Sequence, residues 1–127
     1  MRILGFLAVG GGAASGAWLR WALGILLNGL FPTLPLGTLA ANLLGGFLMG
    51  MALATLSHFE ALPAPARLLL TTGFLGGLTT FSTFSAEAAT LVSRQQLGWA
   101  AGHIAVHVAG SIGMTFVGIA FMRVLLR

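Results

Sequence analysis

The amino-acid sequence predicts an all-α membrane protein of four transmembrane helices, the third broken near the bilayer midplane. Three observations predict it. The 127 residues are 57% hydrophobic and 6% charged, with a mean hydropathy of +1.00, whereas roughly 25% of an ordinary soluble domain is charged. Four apolar stretches, each long enough for a crossing of about 20 residues, are separated by short connections that hold all four prolines. The third stretch carries glycine, threonine and serine where a plain membrane helix would carry leucine. Four crossings and their connections use the whole length, so residues 1–127 are expected to form one bundle without an extramembrane domain.

The first span is expected over residues 3–27. Its apolar run from Ile3 outlasts the hydrophobic region of a signal peptide, so it reads as a retained helix. Asn28, Gly29 and the Pro32 to Pro35 turn close it, since proline cannot continue helical hydrogen bonding. The second span covers residues 36–56, and Ser57 to Pro65, with His58, Glu60 and two prolines, forms the next connection. The third covers residues 66–92, long for one crossing. Ser93 to Gly98 connects it to the fourth span, residues 99–125. Glycines recur at four-residue spacing, Gly12 with Gly16, Gly46 with Gly50, and Gly73 with Gly77. Such small faces let helix backbones approach closely in lipid.

Charge is sparse. Six Arg face two Glu, a net charge of +4, with no basic cluster or soluble face for a polyanion; nucleic acid is not an expected partner and the arginines suit lipid headgroups. Arg2, Arg67, Arg123 and Arg127 fall on one side of the four spans and Arg94 on the other, a lean toward cytoplasmic termini. Cysteine is absent, which excludes disulfides and thiolate metal sites.

The segment from Gly73 to Ser85 carries the chemistry. Its glycines, threonines and serines are poor helix formers, and a break there frees backbone groups that hydrocarbon cannot satisfy. Such backbone is tolerated only inside protein or beside a wet cavity. Freed carbonyls suit a cation, while the opposite helix end presents amides that suit an anion. The alternative is a kink whose Ser and Thr hydroxyls bond back one turn. Phe81 and Phe84, three residues apart, share a helix face, where positively polarised ring edges could line an anion path or simply pack. Asn42 lies mid-span, where its amide must face protein or water. His103, His107 and Ser111 follow an i, i+4, i+8 stripe. The two imidazoles could bind a metal, but no carboxylate partner is visible nearby in sequence. Glu87 is the only carboxylate within a span and a functional candidate by that placement. An ion pair with Arg20 is its structural alternative.

These strings together resemble a known family. Gly10-Gly11-Gly12 with Gly16-Ala17-Trp18-Leu19-Arg20, then Gly37-Thr38-Leu39-Ala40-Ala41-Asn42 with Gly45-Gly46-Phe47, then Gly76-Gly77-Leu78-Thr79-Thr80-Phe81-Ser82-Thr83-Phe84-Ser85, resemble the Fluc (CrcB) fluoride channels over essentially the whole chain. The resemblance implies a fluoride-selective passive channel, not an enzyme, that exports fluoride across a bacterial inner membrane. It implies an antiparallel dual-topology homodimer with two pores and a structural sodium ion (Na+) at the dimer centre. Residue by residue, it makes the carbonyls of Gly76 and Thr79 the sodium ligands, twice by symmetry. Phe81 and Phe84 become the ring box, and Asn42, Ser82 and Thr83 donors along the fluoride path. His103, His107 and Ser111 become a polar track, with Arg20 near a vestibule and Glu87 near an exit.

Two other classes compete. A proton-coupled multidrug transporter of four helices would need an acid in its first span, where this chain has only Arg20. A membrane subunit that merely assembles through its glycine faces would leave the Thr and Ser-rich segment unexplained. No Ser/His/acid constellation of an enzyme stands out.

Overall fold

The computed structural model describes residues 2–127, and all regular structure among them is helical. Helix α1 spans Arg2–Leu27, and a short turn of 3-10 helix, Asn28–Leu30, leads into α2, Leu36–His58. Helix α3, residues 64–78, begins with an α-turn Ala64–Leu68, widens into a π-helical stretch Leu69–Leu75 and ends with Gly76–Leu78. Helix α4 covers Phe81–Ser93 and α5 Leu97–Leu125. Three helices, α1, α2 and α5, are long and apolar enough to cross a membrane. At about 1.5 Å per residue, even α2 with its 23 residues exceeds a hydrocarbon core of about 30 Å.

The ends have local causes. Asn28 caps α2 from across the turn, its Oδ1 accepting from the amides of Gly37 at 2.7 Å and Thr38 at 3.2 Å, groups a helix start leaves orphaned. The connection expected over residues 57–65 is shorter than that, because α3 already begins at Ala64. Pro65 sits in its first turn, where a missing N–H costs nothing. Over residues 66–92, where the third span is expected, the structure has two helices, α3 and α4. Thr79 (φ −88°, ψ 155°) and Thr80 (φ −146°, ψ 122°) are extended, and helical geometry resumes at Phe81 because the Thr80 hydroxyl accepts from the Thr83 amide at 3.0 Å, a side-chain cap. Helix α4 ends at a left-handed Gln95 (φ 57°), where the Gln95 and Gln96 amides bond the carbonyls of Val92 and Leu91.

Packing follows the small residues. Helix α1 lies against α3 with Gly12 and Gly16 facing the backbone of Gly73, Phe74 and Gly77; a Cβ on Gly77 would stand 2.9 Å from Ala13 Cα. Helix α2 lies against α5 in the same way, where a Cβ on Gly46 would stand 2.6 Å from the Ser111 carbonyl oxygen. Four buried residues, Ala41, Ala52, Leu75 and Leu78, form the core where α2 meets α3. Large apolar side chains cover the outside, among them Phe6, Trp21 and Phe116, the inverse of a protein that faces water.

Candidate functional site at the helix interruption

Of the two extended threonines, Thr80 is held by Asn42 of α2. Its Oδ1 accepts from the Thr80 amide at 2.8 Å, and its Nδ2 donates to the Thr80 carbonyl at 3.0 Å. One side chain therefore satisfies both backbone groups of a residue outside any helix, as burial in a bundle requires. The same Nδ2 lies 3.0 Å from His107 Nδ1 on α5.

This arrangement releases carbonyls. In a continuous helix the amides of Thr80 and Thr83 would bond the oxygens of Gly76 and Thr79; here they go to Asn42 Oδ1 and Thr80 Oγ1 instead. The intervening Gly77 carbonyl accepts from Arg20 Nε at 3.0 Å, placing a guanidinium at the negative end of α3.

Past the interruption, Phe81 and Phe84 meet edge to face with ring centroids 5.4 Å apart. Their surroundings differ: Phe81 is 77% exposed on this chain, Phe84 only 7%. Phe84 stacks on His103 and also packs against His107, at 5.3 and 4.8 Å between centroids, and the two imidazoles, both buried, lie 4.4 Å apart.

Glu87 joins this group, which corrects two expectations. Its Oε2 accepts from the Thr38 hydroxyl at 2.7 Å, and its Oε1 lies 3.3 Å from His103 Nε2, at ion-pair distance though not aligned as a hydrogen bond. The alternative of a Glu87–Arg20 pair does not form, because Arg20 is drawn to the Gly77 carbonyl on the opposite side of the interruption. The imidazole pair does have a carboxylate partner. Ligating atoms of Glu87, His103 and His107 all lie within 4.8 Å of one another, and Glu87 Oε1, His103 Nε2 and His107 Nε2 are buried without hydrogen bonds.

The remaining predicted residues divide among three neighbouring cavities. One of about 430 Å³ is lined by Gly76, Thr79, Phe81, Phe84 and Ser111 as well as Asn42 and His107. A second, about 290 Å³, is lined by Arg20, Thr38, Thr80 and Thr83. The third, about 320 Å³, is lined by Thr83, Glu87 and Arg94. Ser82 is exposed, with its hydroxyl 3.3 Å from that of Thr80. Thr38, given no role by sequence reasoning, is integral because it orients Glu87, and Thr80, expected only as one of the hydroxyls of the segment, shapes the break with its backbone as well. The four-residue spacing of Thr38 and Asn42, one turn apart on a face, was the available clue to the first.

Comparison with known proteins agrees with the motifs. The family model described as CrcB-like protein, Camphor Resistance (CrcB), matches residues 7–119. The fluoride-specific ion channel FluC of Aromatoleum aromaticum is 66% identical over 115 residues, 91% of this chain and 88% of that protein. FluC of Nitrosospira multiformis is 58% identical over 94% of this chain and 93% of its own length. FluC of Pseudomonas putida is 57% identical over 90% of each. These relatives are channels rather than enzymes. Matched by the family model over residues 7–119 and by these relatives over 90–94% of its length, the chain belongs to the CrcB family.

Proposed function

We propose that the chain is a fluoride-selective passive channel that exports fluoride from the bacterial cytoplasm through two pores of an antiparallel, dual-topology homodimer in the inner membrane. The observation that carries this reading is the break at Thr79 and Thr80. There Asn42, ring edges, the His107 imidazole and hydroxyls converge on adjoining cavities within a chain of membrane-length helices. Helices α3 and α4 are the two halves of one crossing, so that the break lies near the midplane. Fluoride is small and strongly hydrated, and its water must be replaced by several donors without a site that traps it. Hydroxyls of Ser82 and Thr83, ring edges of Phe81 and Phe84, and the α5 stripe His103, His107 and Ser111 are donors of that kind. Arg20 stands at one mouth and Glu87 at the other.

Dimerisation accounts for what a single chain leaves open. The Phe81 ring is 77% exposed, and the cavity it lines opens beside Gly76 and Thr79, where a second copy would complete the wall. The freed carbonyls of Gly76 and Thr79, taken twice, give four oxygens for a structural sodium ion, a hard cation that carbonyls suit. A cation there lends positive potential to the neighbouring path. The residues around it do the positioning: Asn42 holds Thr80 extended, and Arg20 occupies the Gly77 carbonyl between the two ligands.

The test is efflux from liposomes loaded with fluoride, followed with an ion-selective electrode, beside chloride-loaded vesicles. Rapid fluoride release without chloride release is expected. A well-folded dimer that releases neither ion would overturn the channel reading.

A further inference from the structure

We propose that Asn42 is a positioning residue that locks His107 in the Nε2–H tautomer, making the buried His107 Nε2–H an anion donor on the fluoride path rather than a metal ligand. The inference rests on the channel reading and adds to it a specific donor and the group that sets it.

The hydrogen-bond inventory leaves one solution. Asn42 Oδ1 accepts from the Thr80 amide, and its Nδ2 donates to the Thr80 carbonyl, so the amide cannot be turned around without setting N–H against N–H and oxygen against oxygen. The group 3.0 Å from His107 Nδ1 is therefore an NH₂, and Nδ1 must accept. An imidazole whose Nδ1 accepts carries its proton on Nε2. Both amide hydrogens of Asn42 are thereby committed, to Thr80 and to His107. A permeating anion takes its hydrogen bond not from Asn42 but from the nitrogen that Asn42 sets.

That nitrogen is free to give one. His107 is 3% exposed, and its Nε2 has no hydrogen-bond partner. His103 Nε2 is in the same cluster but faces the Glu87 carboxylate at 3.3 Å, and the carboxylate's other oxygen takes the Thr38 hydroxyl. His103 Nε2 and Glu87 Oε1 face each other at ion-pair distance without forming a hydrogen bond, so the His107 Nε2–H is the unpartnered donor that is not already set against the carboxylate. A buried donor without an acceptor is costly, and a small anion or water relieves it. A carboxylate oxygen of Glu87, within 4.8 Å of a ring nitrogen of His107, limits how tightly an anion is held, as conduction requires. A two-His, one-Glu set is also a familiar zinc donor set. A ligating His donates its other ring nitrogen to a neighbour, and here that nitrogen accepts.

Nitrogen-15 spectra of histidine-labelled dimer report the tautomer directly, with His107 assigned by its loss in His107→Gln. The expected result is a protonated Nε2 and an unprotonated Nδ1, with the Nε2–H resonance moved by fluoride and not by chloride. Asn42→Asp presents only acceptors and should reverse the tautomer. A merely structural role for Asn42 would not move that signature. In efflux, His107→Gln, whose amide nitrogen overlays Nε2, should retain flux, whereas His107→Asn, which reaches only to the Nδ1 position, should lose about tenfold or more, the worth of a hydrogen bond to a charged group. Protonated Nδ1 in the wild-type protein, or equal flux in the two variants, would overturn the proposal. So would added Zn2+ shifting both imidazoles and blocking flux, which would establish a metal site instead. Wild-type protein without fluoride flux would overturn the channel reading itself, whereas flux with Nδ1 protonated overturns only the donor assignment.

Discussion

Substituting Gly16 by alanine tests whether backbone contact between α1 and α3 holds the interruption in place. A Cβ at Gly16 would stand 2.6 Å from the Leu78 amide nitrogen, where ordinary contact begins at 3.4 Å, and it would also press on the Phe74 carbonyl. Those atoms are backbone, so no rotamer relieves the overlap; the two helices must separate by about an ångström or more. Overpacking of this kind costs about 1–3 kcal/mol, and the displaced end of α3 is the residue before extended Thr79. Gly11, five residues earlier, is the matched control, since nothing lies within 4 Å of a Cβ there. Gly11→Ala gains the helix preference of alanine, about 0.5–1 kcal/mol. The assay is thermal unfolding of the purified protein in detergent, paired with fluoride efflux. Gly16→Ala should melt several degrees below the parent and slow efflux, while Gly11→Ala melts at or above it with efflux unchanged. Equal melting temperatures for the two would refute the close approach of α1 to α3.

Phe81→Ile should lower fluoride flux with a smaller loss of melting temperature than Phe84→Ile, because within the chain its ring is far less buried; unaltered flux would remove it from the pathway. Phe84→Ile should lower both, since its ring packs between Phe81 and two imidazoles; stability equal to Phe81→Ile would contradict that packing. Thr38→Val removes the hydroxyl that Glu87 accepts, and a hydrogen bond to a charged group is worth about 1.5–3 kcal/mol, so reduced thermal stability is expected and an unchanged melting curve would show that the bond is not maintained. Gln95→Gly relieves a left-handed backbone that costs a residue with a side chain about 1–2 kcal/mol, and a melting temperature no higher than the parent's would count against that strain. Exchange of sodium for a large organic cation should destabilise the dimer in unfolding assays if Gly76 and Thr79 carbonyls hold the ion; identical melting in both salts would remove that assignment.

Much of the architecture was legible because its causes are local. Runs of apolar residues bounded by Pro32, Pro35, Pro63 and Pro65 set where helices start and stop, and α1, α2 and α5 fall within two residues of the spans read from the sequence. The Gly73 to Ser85 composition located the non-helical backbone, and the four-residue glycine spacing located the faces that meet. The chemistry at those positions was legible as residue types: an amide at 42, rings at 81 and 84, imidazoles at 103 and 107. What the sequence could not decide was who meets whom. Whether Glu87 pairs with Arg20 or joins His103 depends on the rotation of α4 about its axis, and whether Asn42 faces water or the backbone of Thr80 depends on how far α2 is slid along α3. Those rotations and offsets are set where Gly16, Gly46 and Gly77 bring backbones into contact, by interlocking of surfaces distant in sequence. Only the tertiary structure therefore commits both hydrogens of Asn42 and leaves the His107 Nε2–H without an acceptor.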